Sequence, residues 1–118
     1  MSFKRKELGS LGEEKAAEYL LEKGHKIVSR NFQIRSGEID IISEDGEYLV
    51  FTEVKTRSRY YSSRPADSVD IKKIMKIRKT AEYFYSFKTS SDKQPRFDII
   101  EIVEQNGYFK INHIENAF

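Results

Sequence analysis

The sequence predicts an α/β or α+β sandwich: one mixed five-stranded sheet with helices packed against it. The order of periodic segments carries this expectation, because a helix, three strands, a second helix and two strands follow one another along the chain. Two turn signals support it, since Asp45-Gly46 and Asn106-Gly107 each sit between strand-like runs and mark β-hairpins. The long crossover between the third and fourth strands allows those two to run parallel.

Glu7 to Lys23 reads as the first helix, with Leu8, Leu11, Ala16, Ala17, Leu20 and Leu21 as its apolar or small positions and Gly24 as its stop. His25 to Ile34 is the first strand, alternating through Val28, Arg30, Phe32 and Ile34 before Ser36-Gly37 turns the chain. Ile39 to Ile42 and Leu49 to Val54 then form a central hairpin. Arg57 to Asp67, which holds Tyr60-Tyr61-Ser62-Ser63-Arg64-Pro65, has the composition of a loop. The second helix runs from about Ser68 to Phe87, with Ile74, Ile77, Ala81 and Phe84 as its apolar stripe. Thr89 to Pro95 is polar linker, and Phe97 to Val103 and Tyr108 to Ile114 are the last two strands. No repeat and no shift of composition divides the chain, so residues 1–118 read as a single domain.

The 38% of apolar and 13% of aromatic residues suffice for a packed core and exclude a disordered chain. The absence of cysteine excludes disulfides and thiolate metal sites. The basic start, Met1 to Lys6, is not followed by an apolar run of signal-peptide length, and no segment approaches a membrane span. A cytoplasmic protein with no membrane partner is therefore expected. The net charge of +2 does not by itself imply nucleic acid, but the cations cluster. Lys55, Arg57, Arg59 and Arg64 form one run, and Lys72, Lys73, Lys76, Arg78 and Lys79 form another. Either run alone reads as a solvated surface; beside a carboxylate site, both suit phosphate.

Such a site is expected on the central hairpin. If the turn closes on Glu44 and Glu47, Asp40 lies opposite Phe51 and Glu38 opposite Glu53, so that Glu38, Asp40, Glu53 and Lys55 share one face. Asp40 and Glu53 are then diagonal neighbours, with Cβ atoms roughly 7 Å apart. An exposed cross-strand ion pair is one reading of these residues. The apolar residues on either side of both acids favour desolvated carboxylates that need a cation, and Lys55 alone cannot neutralise them. Mg²⁺ suits two carboxylates and a carbonyl. Glu13 shares a helical face with Ala16, Ala17 and Leu20 and either extends the buried stripe towards this site or complements the helix dipole.

The spacing of Asp40 and Glu53-Val54-Lys55 resembles the PD-(D/E)xK nuclease signature. Over the whole chain, Gly12-Glu13, Arg30-Asn31, Gly37-Glu38-Ile39-Asp40, Glu53-Val54-Lys55 with Arg57, Arg96-Phe97-Asp98 and Asn116-Ala117-Phe118 together resemble the YraN-like, endonuclease-related uncharacterised family. The Pro that commonly precedes the signature's first Asp is replaced here by Ile39. The resemblance implies a restriction-endonuclease-like sandwich with two main helices, akin to Holliday-junction resolvases. It implies Asp40, Glu53, the Val54 carbonyl and Glu13 as ligands of Mg²⁺ or Mn²⁺. Lys55 would act on the attacking water or the transition state, beside the catalytic carboxylates Asp40, Glu53 and Glu13. DNA is the expected partner, with Arg57, Arg59, Arg64 and Lys73 as phosphate contacts, and a homodimer follows by analogy with the resolvases. The activity so implied is a metal-dependent endonuclease; the alternative is a non-catalytic nucleic-acid-binding or scaffold domain.

Overall fold

One helix, α1 (Arg5–Glu22), leads into three strands, β1 (Lys26–Ile34), β2 (Gly37–Asp45) and β3 (Tyr48–Ser58), in a computed structural model that describes residues 4–58 and 70–118. A second helix, α2 (Ile71–Phe87), and two strands, β4 (Gln94–Gln105) and β5 (Tyr108–Ile114), complete it. The strands form one sheet in the order β1-β2-β3-β4-β5. Neighbours are antiparallel except β3 and β4, which run parallel from Tyr48↔Gln94 to Ser58↔Glu104. The α2 crossover allows that pairing, as its length predicts.

The helices cover opposite faces of the sheet. Ala16, Ala17 and Leu20 of α1 pack with Ile41, Val54, Ile100 and Ile102. Ile77, Ala81 and Phe84 of α2 pack with Ile39, Ile42, Leu49 and Phe51. Even-numbered Val54 and odd-numbered Leu49 and Phe51 fall in different clusters, as alternation along β3 requires. The mixed five-stranded sheet and two helices of the α/β class thus agree with the sequence.

Four local expectations are corrected. The central turn closes on Asp45↔Tyr48, with Gly46-Glu47 as the loop, two residues beyond the expected register. The first loop position takes a positive φ of 58° at Gly46, which favours glycine there and selects this turn. In β1, the register shifts between Ile27 and Ser29, and Val28 is exposed at the irregularity instead of joining the buried stripe. In β2, Ile39 faces α2 whereas Ile41 faces α1, so simple alternation fails on either side of Asp40. Helix α2 starts later than Ser68 because the Asp70 side chain accepts from Lys73 N at 2.8 Å and caps it.

A buried polar network ties α1, β2, β4 and β5 together. Asp98 is fully buried and accepts from Arg96 Nε at 3.0 Å and Nη2 at 2.9 Å, from Asn116 N at 3.2 Å, and lies 2.7 Å from His113 Nε2. Burial alone would raise its pKa, but His113 and Arg96 overcome that and hold it below the ordinary aspartate value. Tyr19 Oη meets His113 Nδ1 at 3.2 Å, and Arg96 Nη1 donates to Asp45 at 3.0 Å. His25, 6.3 Å from His113 between ring centroids, bonds Ser43 at 2.9 Å. Asp98 therefore serves as a structural ion-pair centre.

Helix α1 approaches β3 closely at Gly12. A Cβ there would lie 2.7 and 2.8 Å from Cγ2 and Cβ of Thr56, inside van der Waals contact. Gly12→Ala should accordingly lower stability by about 1–3 kcal/mol, read from urea unfolding, and adding Thr56→Ala should recover part of the loss.

Candidate functional site

The pairing of β2 with β3 ends at Ile41↔Thr52. One step further, Asp40 would face Glu53 across the ladder, but the Asp40 carboxylate takes the place of a backbone partner: its Oδ2 accepts from Val54 N at 2.8 Å. The two-residue change of turn register moves Asp40 from opposite Phe51 to beside Glu53. An even slip leaves every side chain on its face, so the predicted acid set survives it. The strands part here, and carboxylates from both layers of the sandwich come within electrostatic reach.

Glu53 is 8% exposed and holds two ammonium groups on one oxygen: Lys73 Nζ lies 2.9 Å and Lys55 Nζ 3.5 Å from Oε1. Burial, then the neighbouring Glu53 charge, pushes the Asp40 carboxyl up to about 7, against the Val54 N–H that favours its charged form. Glu13 and Glu38 add to that repulsion. Burial lowers the pKa of Lys55, reinforced by Lys73, while Glu53 opposes the shift. Burial also works against a charged Lys73, yet its contacts with Lys55 and Glu53 hold it above the ordinary lysine value. The hairpin thus carries more buried negative charge than it would keep unassisted, and two lysines compensate it.

Glu13 is half-buried, in the third turn of α1. A dipole role is excluded, since that effect fades within the first turn, where Glu7 stands. Burial raises its pKa, and Glu38 and Glu53 raise it further, while Arg30 and a hydrogen bond with Asn31 oppose them. Gly12 allows this placement, because the close approach at Thr56 brings the next residue over the end of β3.

Asp40, Glu53, Val54, Lys55 and Glu13 are therefore brought into one neighbourhood. Glu38 is exposed but electrostatically coupled to it. Lys73, expected as a phosphate contact, pairs with Glu53 in this structure. Arg57 points its guanidinium at Glu101 of the adjacent strand, at 3.8 Å. Arg59 and Arg64 lie outside the described residues, as do Tyr60 and Tyr61. Among the described residues, no three His, Asp or Glu side chains are arranged as a ready metal-ligand group.

Sequence reasoning assigned no role to Asn31, although Arg30-Asn31 belonged to the quoted motif. Asn31 has a φ of 53°, in the left-handed region that asparagine tolerates. It lies where the alternation of β1 and β2 breaks, and its side chain works against the rise of the Glu13 pKa. The pairing of Lys73 with Glu53 had no sequence signal, because the two are joined only by the packing of α2.

The profile of the family described as Uncharacterised protein family UPF0102 matches residues 12–102. A UPF0102 protein of Clostridium novyi is 46% identical over 115 residues, covering 96% of each chain. One of Carboxydothermus hydrogenoformans is 43% identical over 113 residues, again 96% of each. One of Persephonella marina is 46% identical over 110 residues, covering 93% of this chain and 91% of its own. The chain belongs to the UPF0102 family, in agreement with the YraN-like resemblance.

The Asp40 shift has a definite sign. An unfolded aspartate loses its proton near pH 4, whereas Asp40 in the folded chain keeps it to about pH 7. The folded state binds the extra proton between those values, so this contribution to stability is full below about pH 4 and is lost as pH rises to about 7. In metal-free buffer, Asp40→Asn, which keeps an acceptor for Val54 N–H, should remove that slope. Compared with wild type by urea unfolding, it should gain roughly 1 kcal/mol or more at about pH 8.

Proposed function

We propose that this member of the UPF0102 family adopts a restriction-endonuclease-like fold and is a metal-dependent endonuclease of the PD-(D/E)xK type, hydrolysing phosphodiester bonds in DNA of branched or otherwise structured form. The observation that carries the reading is the convergence of Asp40, Glu53 and Lys55 where β2 and β3 part. Buried carboxylates that repel one another seek a cation, and hard oxygen donors of this kind suit Mg²⁺ or Mn²⁺. Asp40, Glu53, the Val54 carbonyl and Glu13 are the groups that would hold it. Once bound, such an ion would neutralise phosphate charge and lower the pKa of coordinated water.

Hydrolysis joins a water oxygen to phosphorus and breaks one bridging P–O bond, whose oxygen leaves with a proton. Lys55, with its proton affinity lowered by burial and by Lys73, is the group suited to take the water's proton. In its charged form it would instead hold the negative charge that grows on the phosphoryl oxygens. Arg57, Arg59 and Arg64 would bind flanking phosphates.

A second reading, a nucleic-acid-binding or scaffold domain without turnover, is favoured by one observation. Lys73 already occupies the Glu53 oxygen that a metal would need.

In Mg²⁺ or Mn²⁺ the purified protein should nick plasmid, flap or four-way-junction DNA, and Glu53→Ala and Lys55→Ala should each slow cleavage about 100-fold or more. Wild-type rates in both variants would reject the assignment. Salt-sensitive binding without cleavage across several metals would select the second reading. Calorimetric titration with Mn²⁺ should detect binding that Asp40→Asn abolishes. Lys73→Ala, by removing the competing ammonium, should bind Mn²⁺ more tightly than wild type.

A further inference from the structure

The two flanks of α2 differ in chemistry. Helical steps of four, three, four and four residues join Lys72, Lys76, Lys79, Tyr83 and Phe87 along one flank, beginning beside Lys73. All five are exposed, Tyr83 at 39% and Phe87 at 72%. The acidic residue of α2, Glu82, stands three residues beyond Lys79 at the edge of this flank, and four beyond Arg78, which is stacked over Phe97 at 4.7 Å. Lys72, Lys76 and Lys79 make no ion pair among the described residues. An ordinary solvated helix face mixes both charges; along this line of steps every charged group is a cation.

The turn between β1 and β2 adds a further cation. Ser36 Oγ lies 3.3 Å from Thr80 Oγ1, and a Cβ on Gly37 would touch Lys76 Cβ at 3.5 Å, so the turn is seated on this flank. Arg35, exposed, immediately precedes Ser36 at the head of that turn. At the far end, the rings of Tyr83 and Phe87 lie 5.0 Å apart, tilted by 45°. At the near end, Lys73 reaches Glu53.

We propose that this flank of α2 is a track for an unpaired nucleic-acid strand, with Arg35, Lys72, Lys76 and Lys79 on its phosphates and the Tyr83–Phe87 pair stacking on its bases. Cations alone would suit any polyanion. Exposed aromatic rings in line with them suit bases whose faces are free, which a duplex does not offer. From Lys72 to Phe87 the track is about 22 Å long at 1.5 Å per residue, a length appropriate to a short single-strand site of several nucleotides. The inference rests on the nuclease reading only for what becomes of the strand, because the track leads to the acid–lysine site through Lys73.

The test is fluorescence anisotropy in EDTA, where no metal-dependent cleavage occurs, with labelled oligo(dT) and a hairpin duplex of equal length. Wild type should bind oligo(dT) more tightly than the duplex. Reversing Lys72, Lys76 and Lys79 to Glu should weaken oligo(dT) binding about 100-fold and flatten its dependence on log salt by about 2. Tyr83→Ala with Phe87→Ala should weaken it about tenfold and leave duplex binding unchanged. Reversal of Lys6, Lys26 and Lys110, exposed elsewhere, makes the same change of net charge and controls for it; circular dichroism verifies that each variant is folded. Equal losses in the control, preference for duplex, indifference to the aromatic substitutions, or no binding at all would overturn the proposal. Binding of this kind without cleavage in any metal would uphold the track while removing the nuclease. Cleavage undiminished by the track reversals would do the opposite.

Discussion

The hydrogen bond from Val54 N to Asp40 Oδ2 is the contact on which the geometry of the site depends. A backbone N–H near a strand divergence must find an acceptor, and leaving it unpaired would cost on the order of 1–3 kcal/mol. Supplying that acceptor from a side chain lets β2 leave β3 one step early without an orphaned donor. The same contact fixes the carboxylate beside Glu53, in a setting where burial works against its charge. A structural requirement and an electrostatic tension are thus met by one oxygen pair.

The tension is contained by lysines from two layers. Lys55 belongs to the same strand as Glu53, whereas Lys73 is carried in by α2, whose position is set by Ile77, Ala81 and Phe84 on the sheet. Glu13 arrives from the opposite layer, through a helix that can come so near β3 only because Gly12 has no side chain. The site therefore samples both helices. Its charge state is a property of the assembled sandwich, not of the hairpin that bears its central acids.

The other polar cluster helps to hold α1 in its place. Asp98, with Arg96, His113 and Asn116 around it, is fully buried yet fully engaged, and removing one partner would leave an uncompensated charge in the interior. It joins β4 and β5 to α1 through Tyr19 and to β2 through Asp45. It sits near the start of β3, where Arg96 is level with Val50, while Glu53 and Lys55 lie further along. One buried polar group thus braces the sandwich, and the other, incompletely neutralised, has the character of a site.

Periodicity alone determined the order of helices and strands and the bounds Tyr108 to Ile114, and allowed the parallel crossover, because these follow from local spacing and turn chemistry. It also determined that Asp40, Glu53 and Lys55 meet, even though the turn was misplaced, since a slip of two residues preserves strand faces. Tertiary structure decided what lies between the elements: Lys73 on Glu53, His25 near His113, Asn31 beside Glu13, and Ile39 turned towards α2. Those contacts join residues far apart in the chain or depend on a kinked strand. No repeat of two or of 3.6 residues encodes them, because only the packing of one layer on another brings the groups together.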